Sequence, residues 1–156
     1  MIDISALYCG FFSGSSPHRY GRSASSGVRS GHVMAPARSA GQRRPVVVWN
    51  VTRTCNLACA HCYSDSACRI YGDELSTDQG RTLLDELARF QCPAVVFSGG
   101  EPLMRADVFE LAAHARRLGL HAVLSTNGTL IDEATATRFR QAGFVYAGVS
   151  LDSGHA

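Results

Sequence analysis

Three cysteines stand within eight residues in the stretch CNLACAHC, at positions 55, 59 and 62. Thiolates are soft ligands, suited to zinc, copper(I) and iron–sulfur clusters. A structural zinc site is closed by four ligands. Here the fourth would be His61 or a distant group, and the adjacency of His61 to Cys62 makes their joint ligation of one tetrahedral ion sterically awkward. Electron-transfer clusters likewise normally take four cysteines. A four-iron cluster held by three thiolates would instead leave one iron open to a small molecule.

The cysteines have to be presented by something, and the flanking pattern says what. PVVVWNVT is a short β-branched run that reads as a strand buried on both faces and delivers the chain straight into the cluster of thiols. PAVVFSGG, HAVLSTNG and VYAGVSLD repeat that form at residues 93–100, 121–128 and 145–152, so four buried strands are expected. Between them lie three helices. Ser76 with Gln79 forms a capping-box pattern that opens a helix whose Leu83, Leu84, Leu87 and Phe90 share a face, and Pro93 bars its continuation. Val108, Leu111, Ala112, Ala115 and Leu118 make a second stripe, ended by Gly119 at C′. The third helix, roughly 132–142 and closed by Gly143, has a weaker stripe carried by Phe139 and Ala142.

Strict strand–helix alternation predicts an α/β fold of βαβ units with a parallel sheet and right-handed crossovers, its functional residues in the loops after the strands. Those loops hold the unusual residues: Cys55, Cys59 and Cys62 after the first, Gly99-Gly100-Glu101-Pro102 after the second, Ser125-Thr126-Asn127-Gly128 after the third, Ser150-Leu151-Asp152 at the end of the fourth. Gly-Gly and Asn-Gly are ordinary turn formers, and an aspartate is an ordinary cap. Their coincidence on one rim is what argues for a site.

Composition narrows the function classes. A chain of 156 residues, 46% hydrophobic, is long enough to bury a core. It has no apolar run of the eighteen or so residues that span a bilayer, and no secretory h-region at its start. Membrane partners are not expected, and a cytoplasmic setting is. Six cysteines in that setting point to metal or redox chemistry rather than disulfides. A net charge of +2 is too small to call for nucleic acid. Between Asp3 and Asp65 there is no acidic residue, while Arg19, Arg22, Arg29, Arg38, Arg43 and Arg44 fall in that interval. Residues 1–44 therefore read as a loosely ordered basic arm, and 45–156 as the core domain. All fifteen basic residues are arginine, so basic contacts to carboxylates are made by guanidinium forks.

CNLACAHC resembles the CxxxCxxC signature of the radical S-adenosylmethionine (SAM) superfamily, and SGGEPL after the next strand resembles its SAM-binding motif. The resemblance implies a partial (β/α)6 barrel, of which this chain carries the first four units. It implies a 4Fe-4S cluster on Cys55, Cys59 and Cys62, SAM chelating the open iron, and one-electron cleavage to methionine and a 5′-deoxyadenosyl radical that takes hydrogen from substrate. The backbone of Gly99, Gly100 and Pro102 and the Glu101 carboxylate would meet the SAM ammonium. The glycines would be small so that the chain can approach the ligand, and Gly100→Val would spare the cluster and lose SAM. Ser125, Asn127, Ser150 and Asp152 would hold ribose and carboxylate, with His61 beside the adenine. The resemblance assigns no catalytic residue acting on substrate.

A narrower likeness runs through MIDISALYCG, RYGRS, RPVVVWNVTRTCNLACAHCYSDS, DELST, FSGGEPLMRADVFELAAHARRLGL and LSTNGTLI. These are similar to the radical SAM proteins of alternative haem and haem d1 biosynthesis, nearest to the 12,18-didecarboxysirohaem deacetylases. An iron tetrapyrrole substrate, and a reducing donor such as flavodoxin or ferredoxin, are what that implies. Alternatives are a radical SAM peptide maturase, an iron–sulfur electron carrier and a zinc-stabilised binding module. Cys9, Cys68 and Cys92 fall outside the motif. Few residues follow VSLD, so the chain is expected to be the truncated first part of a six-stranded barrel, poorly soluble and without turnover alone, its fourth strand an open edge.

Overall fold

The structure, a computed structural model, describes residues 44–151. The expected arm, apart from Arg44, lies outside the described residues, as do Cys9 and Asp152. Strands β1 (Val47–Thr52), β2 (Ala94–Gly99), β3 (His121–Thr126) and β4 (Tyr146–Val149) alternate with helices α1 (Thr77–Arg89), α2 (Val108–Arg117) and α3 (Glu133–Ala142). All three strand pairings are parallel and the strand order is β1-β2-β3-β4. The C-terminal ends of all four strands thus lie along one rim, as βαβ repetition requires.

Local chemistry accounts for the helix limits. Ser76 accepts from the Gln79 N–H while the Gln79 side chain accepts from the Ser76 N–H, closing the capping box of α1. Asp132 caps α3 from outside through the Thr135 N–H, so the helix begins one residue later than its sequence pattern suggests. Gly143, at φ +81°, ends α3 in the left-handed conformation that favours glycine.

The core lies between the helices and one face of the sheet. Val95, Phe97, Ala122 and Leu124 meet Leu84, Val108, Leu111, Ala112 and Ala115, with Trp49 and Phe144 completing the aromatic part. Two expectations need correction. Only β2 is buried on both faces over most of its length, with β3 close behind; β1 and β4 are the outer strands of the described sheet, and Val48 is 62% exposed. Phe90 does not share the buried face of α1: it is the C-cap, and its exposed ring lies under the Arg44 guanidinium.

Arg105 ties the layers together. Its guanidinium donates to the carbonyls of Val51 (2.7 Å) and Leu75 (2.9 Å) and forks onto Asp107 at 2.7 and 3.0 Å. One nearly buried side chain thus joins β1, the approach to α1 and the start of α2. Burial would push the Asp107 carboxyl up, but the hydrogen bonds from Arg105 and Thr77 and the Arg105 charge outweigh it and hold it below the ordinary carboxylate range.

Arg105→Ala should lower unfolding stability by about 1–3 kcal/mol, because it takes the fork from the part-buried Asp107 carboxylate and the donors from two carbonyls. Arg105→Lys should recover little of this, since an ammonium lacks the fork. Because the folded-state value of Asp107 is depressed, its contribution is full above the ordinary carboxylate range and lost as pH falls through the depressed value. Urea titrations of both variants between neutral pH and pH 3 check this; the gap to wild type should narrow toward the acid end.

Candidate functional site

The rim is built on a close approach of two backbones. Gly100 N–H donates to the Thr52 carbonyl at 2.8 Å and Glu101 N–H to the Thr54 carbonyl at 2.9 Å, past a register shift between Asn50 and Thr52. A Cβ on Gly99, whose φ is +130°, would lie 2.1 Å from the Thr52 oxygen; one on Gly100 would lie 2.5 Å from the Thr54 oxygen. The glycines are therefore required by the segment leading into Cys55, a reason additional to the expected approach of a ligand. Gly100→Val would displace the cysteine loop as well as the SAM motif.

Glu101 has a structural role of its own. Its side chain is fully buried. It accepts from the Thr126 hydroxyl at 2.8 and 3.0 Å, the Asn127 N–H at 2.8 Å and the Leu103 N–H at 3.0 Å. The carboxylate is consumed in bracketing the loop after β2 to the end of β3. Pro102, buried beside it, opens a short 3-10 turn in which its missing N–H costs nothing.

The cysteine loop is held from three sides. Glu74 accepts from the Thr52 hydroxyl at 2.8 Å and the Arg53 N–H at 2.7 Å, and the Cys55 N–H donates to the Ala67 carbonyl. The Asn127 amide donates to Asn56 at 2.9 Å and faces the Cys55 sulfur at 3.9 Å, while Asn56 donates to Thr129. Tyr63, which the motif does not include, places its hydroxyl 3.2 Å from both the Asn50 amide oxygen and the Ser98 hydroxyl, fixing the end of the loop over β1 and β2. Its only sequence signal was an aromatic next to the last cysteine. A cleft of about 290 Å³ lies beside this contact, lined in part by Asn50, Arg53, Ser64 and Glu74.

The three sulfurs have different surroundings. Cys55 is buried and takes the Leu57 N–H at 3.4 Å; Cys59 is exposed; Cys62 is half-buried, joined to Cys59 by a turn and 3.4 Å from the Ser64 hydroxyl. The Ser64 side-chain hydrogen bond, followed by backbone and side-chain contacts at Ser66 and Ser64, pulls the Cys62 thiol from its ordinary value to about 7. Among the described residues no three His, Cys, Asp or Glu side chains converge to hold a single metal ion. A four-iron cluster presents a separate iron to each thiolate and needs a wider spacing than one ion does. Three soft thiols on one loop, those of Cys55 and Cys62 hydrogen-bonded, fit that group.

The remaining expected residues divide. His61 is exposed on the loop. Ser125 is half-buried at the end of β3, and Ser150 lies exposed past β4, its N–H on the Thr126 carbonyl. Cys68 is exposed, while Cys92 is buried in the core before β2, at the opposite end of the sheet, where burial pushes its thiol up and leaves it inert.

A parallel α/β sheet with three thiols after β1 and a glycine pair pressed against the segment leading into them defines a cluster-binding half-barrel. Residues 49–156 match the radical SAM superfamily, and the chain belongs to it; its cofactors are a 4Fe-4S cluster and SAM. Among curated relatives, Fe-coproporphyrin III synthase of Methanosarcina barkeri is 49% identical over 152 residues, 97% of this chain and 37% of that protein. Pre-heme d1 synthase of Dinoroseobacter shibae is 46% identical over 121 residues, 78% of this chain and 30% of that protein. The chain thus spans about a third of the length of these relatives. Among solved structures, native anSMEcpe with bound AdoMet superposes with a TM-score of 0.55 at 26% identity, over 69% of this chain and 32% of that one.

Glu101→Gln should destabilise the protein by about 2–4 kcal/mol, because the amide nitrogen turns a donor toward buried donors that then lack an acceptor. Ser125→Ala should stay within about 0.5 kcal/mol of wild type. Chemical denaturation of the cluster-free proteins checks both; near-equal losses would contradict the bracket.

Proposed function

We propose that this chain forms the cluster- and SAM-binding part of an enzyme that removes side chains from an iron tetrapyrrole, 12,18-didecarboxysirohaem being the substrate, in the cytoplasm with flavodoxin or ferredoxin as electron donor. The observation that carries the reading is the 49% identity to Fe-coproporphyrin III synthase over 97% of the chain, which extends well before the family match at residue 49. In this reading Cys55, Cys59 and Cys62 ligate the cluster. Cluster and SAM together supply, when bound, a 5′-deoxyadenosyl radical for hydrogen abstraction.

The chain's own residues prepare that chemistry. Gly99–Pro102 present backbone to the SAM ammonium, while the Glu101 side chain keeps the strand end rigid from behind. His61, Ser125, Asn127 and Ser150, and Asp152 beyond the described residues, are assigned to adenine, ribose and carboxylate, His61 offering its ring for stacking. Tyr63 keeps the last cysteine beside the sheet. Residues 1–44 act as a separate basic arm, whose arginines offer forked contacts to the substrate's carboxylates.

Replacing Cys55, Cys59 or Cys62 by Ala should abolish the four-iron signal and SAM cleavage, whereas Cys68→Ala and Cys92→Ala should spare both; iron and sulfide assays with 5′-deoxyadenosine quantitation check it. For the substrate, the anaerobically reconstituted full-length protein is incubated with SAM, dithionite and didecarboxysirohaem. Mass spectrometry should show loss of acetate side chains. An unaltered tetrapyrrole alongside a modified peptide would replace this reading with that of a peptide maturase.

A further inference from the structure

We infer that Ser64, backed by Ser66, is a hydroxyl relay that holds the Cys62 sulfur of the bound cluster in a donor field and so sets how readily that cluster is reduced. The inference rests on the assignment of Cys62 as a cluster ligand. Ser64 is a positioning residue in this account: it acts through the sulfur and touches neither SAM nor substrate.

The argument is a count of protons. The Ser64 Oγ lies 3.4 Å from the Cys62 Sγ, 2.6 Å from the Ser66 Oγ and 3.5 Å from the Gly99 carbonyl oxygen. A hydroxyl carries one proton, so Ser64 can donate to only one of these three. A ligating cysteine is a thiolate, which has no proton to give and is the strongest acceptor of the three. The Ser64 proton therefore goes to sulfur rather than to the neutral carbonyl at the limit of hydrogen-bonding distance. Ser66 must then donate to Ser64, because the reverse direction would leave the thiolate without its donor. Two aligned O–H dipoles end on one cluster ligand. Both serines are half-buried.

The sign of the effect follows. Reduction adds an electron to the cluster and increases the negative charge on its sulfurs, so a donor to sulfur stabilises the reduced form more than the oxidised one. Removing the relay makes reduction harder. Among the described residues the Leu57 N–H and the Asn127 amide serve Cys55, while Cys62 also meets the Ser64 and Ser66 backbone, which the alanine variants keep, so the variants read the hydroxyls alone.

The test is a potentiometric titration of the anaerobically reconstituted protein, read by electron paramagnetic resonance after iron and sulfide have been counted. At the potential that half-reduces wild type, Ser64→Ala should show a reduced-to-oxidised ratio about threefold lower or more, as expected for losing one hydrogen bond. Ser66→Ala should shift the same way by less, and Ser64→Thr, which keeps the hydroxyl, should stay within about twofold of wild type. An unchanged ratio in Ser64→Ala, or an equal fall in Ser64→Thr, overturns the relay. Should Ser64→Ala fail to load the cluster, an unchanged ratio in Ser66→Ala overturns it and a fall sustains it. A Cys62→Ala variant that assembles the wild-type cluster would instead remove the ligand assignment itself.

Discussion

Between Thr52–Thr54 and Gly99–Glu101 two backbones run so close that no side chain fits between them, and the organisation of the rim depends on that contact. The two N–H groups of Gly100 and Glu101 are spent on carbonyls of the segment entering the cysteine loop. A methyl group on either glycine would collide with those carbonyls. The entry to the thiol loop after β1 and the motif after β2 are therefore one rigid unit, although more than forty residues of chain separate them. Chemistry that requires a cluster and an organic ligand to touch needs that kind of joint, because small displacements of reacting groups are costly in rate.

The polar groups behind the joint are arranged in depth. Glu101, fully buried, gathers the ends of β2 and β3; Asn127, on the next layer, reaches Asn56 and faces Cys55; the sulfurs themselves lie outermost. Buried acceptors with every lone pair engaged rigidify, whereas one left unmatched would destabilise. Among the described residues the loop that carries the thiols is held toward its ends, by Glu74, Ala67, Asn127 and Tyr63, and its middle, with Cys59, is exposed. Such a loop can adapt to a group as large as a cluster while its ends stay registered on the sheet.

How much of this was legible in the sequence depends on the range of the interaction. Strand–helix alternation, the capping box at Ser76 and the αL stop at Gly143 are local, and each stands in the structure as the pattern suggests. Spacing alone marked Cys55, Cys59 and Cys62. The burial of Glu101 was not readable, because a carboxylate in a ligand-binding motif invites a ligand contact, and nothing local says that Thr126, twenty-five residues on, will take it. Arg105 and Tyr63 were missed for the same reason: their partners lie up to 54 residues away in sequence. The exposure of Phe90 reflects its position at the C-cap, where the helical stripe runs out.

The joint between the thiol loop and the glycine motif predicts that SAM binds within bonding distance of the cluster. Electron paramagnetic resonance of the reduced, anaerobically reconstituted protein, recorded with and without SAM carrying a nitrogen-15 label on its amino group, reads that distance directly. The account predicts a changed spectrum and a resolved coupling to the label. Identical spectra with no coupling, from a protein that demonstrably holds both SAM and cluster, would contradict it.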